Sequence, residues 1–102
     1  MARADQLKAM LDKDPVDVFL NFSLGMEFKS AGEAENALRQ FDRVIALDAA
    51  YLSAYIRKGE VLVGLQRFDD ARESLTRAAD VARQSGDQHM LENVNELLEQ
   101  LP

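Results

Sequence analysis

The sequence has no cysteine and no tryptophan. Without cysteine, disulfides, thiolate nucleophiles and cysteine-based zinc sites are excluded, and the chain carries no sign of its redox compartment. It has one histidine, His89. Alone that residue cannot build a metal site, Glu92 at i+3 adds only one ligand, and a serine triad around it is a poor prospect. Basic residues are the minority, 12 Lys and Arg against 18 Asp and Glu, for a net charge of −6. Nucleic acid asks for a basic stripe and anionic membranes repel an acidic surface, so neither is an expected partner. No apolar run approaches the roughly 20 residues that span a bilayer. The opening residues lead into an amphipathic pattern, not an apolar signal core, and the expected setting is cytoplasmic. No stretch alternates β-branched and polar residues, so no strand is expected, and with it goes any strand-linked phosphate loop or cofactor fingerprint.

What remains is a helix-forming sequence of 102 residues, 47% hydrophobic and 29% charged, with only two prolines and five glycines. That length makes one domain, residues 1–102, with a modest core. A first helix is expected over 3–13, with Leu7, Met10 and Leu11 on its apolar stripe, stopped by Pro15. Asp14 is placed to cap the second helix, which runs to about residue 31. That helix is apolar on two stripes, one of Leu20, Leu24 and Phe28, the other of Phe19, Phe22 and Met26. Gly32 ends it. A third helix spans 33–47 and a fourth 51–65. The fifth begins near Phe68 and ends at Gly86, and Asp87 caps the last. The acidic pairs Glu33/Glu35 and Asp69/Asp70 sit at helix starts, where the helix dipole accounts for them.

Two glycines stand inside these helices. Gly25 and Gly59 are 34 residues apart, and each costs about 1 kcal/mol against alanine. A close approach of another helix is the natural reason. The same offset places Ala37 on Ala71, Phe41 on Leu75 and Phe28 on Leu62, positions that must pack. Two similar helix pairs in succession are the mark of an α-solenoid.

In these residues the chain resembles the tetratricopeptide repeat family. The first repeat reads Asn21, Leu24-Gly25, Phe28, Ala37, Phe41. The second reads Tyr55, Lys58-Gly59, Leu62, Ala71, Leu75. It departs from the family pattern in Asn21 for an aromatic, Lys58 for leucine, and Ala49 and Arg83 for proline. The resemblance implies an all-α, right-handed solenoid of antiparallel helix pairs: a leading half-repeat helix at 3–14, repeats at 17–50 and 51–85, and a capping helix at 87–101.

The resemblance also implies a non-catalytic scaffold that binds a peptide or partner helix in a concave groove, with no cofactor. Carried onto this sequence, the groove-facing residues are Phe19, Phe22, Met26 and Lys29 in the first repeat. In the second they are Ser53, Ile56, Glu60 and Val63, with Arg57 beside them. Only Arg57 is placed to meet an anion, so the clamp that some relatives close on a terminal carboxylate is not expected. The same apolar stripe could instead pack in the core or form a homodimer. An unrecognised enzyme subunit is the remaining alternative.

Overall fold

Pro15 sets the first boundary. Helix α1 (Arg3–Lys13) stops two residues short of it, as the steric demand of proline on its predecessor requires. This computed structural model describes residues 2–102, and among them are five further helices and no strand: α2 (Val18–Ser30), α3 (Ala34–Leu47), α4 (Leu52–Gly64), α5 (Phe68–Ser85) and α6 (Gln88–Glu99). None of these helices is long and apolar enough to cross a membrane. The chain divides into two compact units, 1–49 and 50–102.

In the first unit, α2 packs against both α1 and α3. Leu7 is the one buried residue of α1. Met10, expected on the same stripe, is exposed. Within this unit α1 leans on α2, and one neighbour can cover only a narrow stripe. Two polar contacts fasten α1 to consecutive residues of α2: Arg3 pairs with Glu27 at 3.3 Å, and the Lys8 ammonium lies 5.5 Å from the centre of the Phe28 ring. The core between α2 and α3 holds Leu24, Ala37, Leu38, Phe41 and Val44. Phe22 and Phe41 lie 5.8 Å apart, ring centre to ring centre, tilted by 44°.

The cap of α2 differs from expectation. Asp17 is the N-cap, its carboxylate accepting from the Leu20 N–H at 2.8 Å, while the Asp14 N–H closes α1 on the Met10 carbonyl. Pro15 and Val16 form a turn ahead of the helix. The reason lies in Asn21, whose side-chain amide donates to the carbonyls of Pro15 (3.1 Å) and Asp17 (2.8 Å) and holds that turn against α2.

In the second unit α5 packs on α4 and α6. Its core joins Ile56, Leu75, Ala78, Ala79 and Val94, ringed by half-buried Leu52, Tyr55, Met90, Leu91, Leu97, Leu98 and Leu101. Asp87 caps α6 by accepting from the Met90 N–H at 3.1 Å.

The two units repeat each other down to single hydrogen bonds. After α2, the Glu33 N–H reaches back to the Phe28 carbonyl at 2.9 Å. After α4, Arg67 does the same to Leu62, also at 2.9 Å. This closure needs a left-handed residue before the reaching N–H. Gly32 supplies it in the first unit with φ 76°; in the second, 34 residues on, Gln66 is forced to φ 60°. A side chain there carries a steric cost of about 1–2 kcal/mol that glycine avoids. After the larger unfolded-state entropy of glycine is set against it, Gln66→Gly should raise stability by about 0.5–1 kcal/mol, read as a higher urea midpoint with an unchanged m-value.

The two helical glycines sit at matching contacts. A Cβ on Gly25 would lie 2.6 Å from Cε1 of Phe41, and one on Gly59 would lie 2.7 Å from Cδ2 of Leu75. The positions that pair across the 34-residue offset are thus the positions that touch.

Candidate functional site

The residues assigned to a binding face from the sequence fall in both units. In the first unit the residues come from α2, whose start is fixed by the Asp17 cap. Its apolar side chains surround the helix, and α1 and α3 cannot cover them all. Phe19, in the first turn, is 66% exposed. Phe22 is half-buried with its ring against Phe41, so it serves the core as well as the surface. Met26 and Lys29 are half-buried. The three apolar residues of the expected stripe therefore grade from solvent at Phe19 to core at Phe22.

In the second unit, Ser53, Ile56, Arg57 and Glu60 of α4 line one cavity of about 220 Å³, facing Met90, Asn93, Val94 and Leu97 of α6. Val63 lines a second cavity, of about 250 Å³, with Glu60, Phe68, Leu75, Leu97, Gln100, Leu101 and Pro102. All five second-repeat residues named from the sequence thus border these two hollows, which share Glu60 and Leu97. Ile56 is also a core residue. The Arg57 guanidinium pairs with the Glu60 carboxylate at 2.9 Å, so the one candidate anion contact is already engaged by a neighbour one turn along.

Two features escaped the sequence reading. The first is Met90, Asn93 and Leu97, the far wall of the first cavity; their i, i+3, i+7 spacing was visible, but α6 was read only as a cap. The second is the Asn21 node. Asn21 is 4% exposed and also accepts from the Gln40 amide of α3. An asparagine in place of an aromatic, inside an apolar helix, was the available signal.

The chemistry-bearing residues stay apart. His89 is exposed, and among the described residues no three His, Cys, Asp or Glu side chains are grouped to hold a metal ion. Asp70 pairs with Arg67 at 3.0 Å, and Glu33 accepts from the Asn36 amide at 3.1 Å. These are helix-end contacts.

Known proteins bear on this arrangement. The tetratricopeptide repeat profile matches residues 29–93, from the last turn of α2 into α6. The chain belongs to the tetratricopeptide repeat family. Its fold is the all-α helical-repeat solenoid of that family. A tetratricopeptide repeat domain protein from Salinibacter ruber, solved in solution, is 27% identical, with 82% of this chain and 85% of that chain covered and a TM-score of 0.77. The TPR2B-domain:pHsp70 complex of yeast Sti1 is 17% identical, covers 94% of this repeat protein and 77% of that chain, and has a TM-score of 0.87. PcrH in complex with the chaperone binding region of PopD is 20% identical, with 94% and 73% covered and a TM-score of 0.88. At their low identity the last two show the shared tetratricopeptide fold alone. No curated protein matches the chain.

Proposed function

We propose that the chain is a non-catalytic protein-interaction module that takes up a peptide or partner helix. The observation that carries this reading is the pair of adjoining hollows in the second unit, lined by the α4 residues that the family pattern assigns to its binding face. A few apolar anchors buried in a preformed surface, with charges at the rim, are how such surfaces gain affinity and orientation. Two structural neighbours, the Sti1 and PcrH complexes, were solved with a protein segment bound, which supports the class of partner. In the first unit Phe19, Phe22, Met26 and Lys29 offer a further surface of the same character. A cytoplasmic setting is part of the proposal.

Ser53→Phe tests it by filling the 220 Å³ hollow from a half-buried position at its wall. Partners captured by the native protein should be lost at least tenfold, with the melting temperature held within about 3 °C. Unchanged capture by Ser53→Phe and by a Phe19→Ser, Met26→Ser variant would sink the proposal.

The exposure of Phe19, 66%, favours a second reading in which this stripe joins two copies of the chain. Light scattering at micromolar concentration decides it. A dimer that Phe19→Glu dissolves supports self-assembly, and a monomer leaves the stripe for other partners.

A further inference from the structure

We infer that the second unit selects segments that combine aliphatic side chains with lysine or arginine, and that it rejects acidic ones. This deepens the reading of that unit as a segment-binding surface and rests on it. The hollows, about 220 and 250 Å³, are each smaller than an ordinary small-molecule pocket of about 300–1,000 Å³. They adjoin at Glu60 and Leu97. That pattern suits neighbouring side chains of one segment. The second hollow is walled by Val63, Phe68, Leu75, Leu97, Leu101 and Pro102, with Glu60 and Gln100 as its polar members, so an aliphatic group enters it without stranding a buried polar atom.

The charges around the two mouths have one sign to spare. Arg57 is engaged by Glu60 at 2.9 Å. Arg72 donates to the carbonyl of Pro102, at the second hollow, at 3.1 Å; it keeps its positive charge there and is outnumbered by the three glutamates of α6. Helix α6 carries Glu92, Glu96 and Glu99 and no lysine or arginine, and all three glutamates are exposed. Glu96 lies three residues after Asn93 and four before Gln100, each of which lines a hollow, so helical spacing sets it at the rim. Glu92, Glu96 and Glu99 each adjoin in sequence a residue that lines a hollow, Asn93, Leu97 and Gln100, and at physiological salt charges act over about 8 Å. A cation approaching the mouths is drawn in and a carboxylate is turned away. The half-buried Phe68 adds an aromatic side chain to the second hollow.

The test is selection from a random 12-residue peptide display library on the full chain. The selected pool should be enriched at least threefold in Lys plus Arg over Asp plus Glu, in peptides that also carry Leu, Ile, Val or Met. Two variants locate the effect, each checked by thermal melting for an intact fold. Glu92→Gln, Glu96→Gln, Glu99→Gln should abolish the charge bias and keep the aliphatic preference. Asp5→Asn, Asp12→Asn, Asp14→Asn, which removes the same charge from the first unit, should keep both. Aliphatic enrichment with no charge bias, or with acidic residues preferred, overturns the inference and leaves the binding-surface reading standing. A basic bias lost equally in both variants reflects net charge and also overturns it. A pool with no aliphatic enrichment at all overturns the inference together with the reading beneath it.

Discussion

Phe41→Ala should cost about 3–5 kcal/mol of unfolding free energy, and in that background Gly25→Ala should change from harmful to helpful. Phe41 is fully buried between α2 and α3, and its ring edge occupies the space a Cβ at residue 25 would need, 2.6 Å from Cε1 and 2.9 Å from Cδ1. On its own, Gly25→Ala gains about 1 kcal/mol of helix propensity and meets an overpacking cost of about 1–3 kcal/mol. The ring cannot retreat cheaply, because Phe22 stands beside it, so the net effect is a loss. With the ring removed, only the propensity gain remains, and the cavity shrinks by a methyl group. A double-mutant cycle in urea should therefore return a coupling above about 1 kcal/mol. Gly59→Ala should also be destabilising, since its Cβ would lie 2.7 Å from Cδ2 and 2.8 Å from Cγ of the buried Leu75 side chain. If Gly25→Ala matches the native protein and the cycle shows no coupling, the glycine is not there to admit Phe41.

The helix contacts that this prediction uses were the most legible part of the chain. A mid-helix glycine has few physical excuses, and its recurrence 34 residues later removed most of them. Helix ends were legible where a single strong signal stood alone, as at Gly32, Gly86 and Asp87. They were not legible where two aspartates competed. Asp14 and Asp17 both precede an apolar run, and what chooses Asp17 is a side chain further along, Asn21, through its bonds to Pro15 and Asp17. Met10 was misread for a related reason: periodicity names the residues of a stripe but not how wide a stripe the neighbour covers. The face of α4 was readable, because Ser53, Ile56, Arg57 and Glu60 follow helical spacing. Its opposite wall on α6 was not, since the hollow depends on how the last helix stands against α4, which no local pattern encodes.

The offset also exposes a polar contact that repeats in place while changing its chemistry. Gln40 and Ser74 occupy matching positions, as do Asn21 and Tyr55. In the first unit the Gln40 amide donates to the Asn21 side chain; in the second the Ser74 hydroxyl donates to the Tyr55 backbone carbonyl at 2.7 Å. Both tie the second helix of a pair to the first at the same level. The first unit does so with a buried amide because Asn21 has a second task, holding the Pro15 turn. No buried side-chain nitrogen or oxygen in the described residues lacks a partner, so both ties are fully satisfied and neither tolerates a one-sided change.

Asn21→Asp is the sharpest such change, because it keeps the shape and alters only the hydrogens. The amide nitrogen of Asn21 donates to two carbonyl oxygens, at 3.1 and 2.8 Å. A carboxylate oxygen in its place has nothing to donate, and sets negative charge against two acceptors in a site only 4% exposed. The expected loss at pH 7 is about 3–5 kcal/mol relative to the native protein. The sign with pH follows from the same contacts. Burial and facing carbonyls favour the protonated acid, which can donate one bond again, so the folded state holds the new carboxyl's pKa above its unfolded value. The penalty is therefore smallest below the unfolded pKa, and grows as pH rises from there through the folded pKa. Measured as the difference between variant and native protein at each pH, to cancel the other carboxylates, the loss should shrink markedly between pH 7 and pH 4. Asn21→Ser, which loses the Gln40 tie but adds no charge, should show a smaller loss and no such slope. A pH-independent difference for Asn21→Asp would mean that water reaches the site, and that the Pro15 turn is held by the backbone without the side chain.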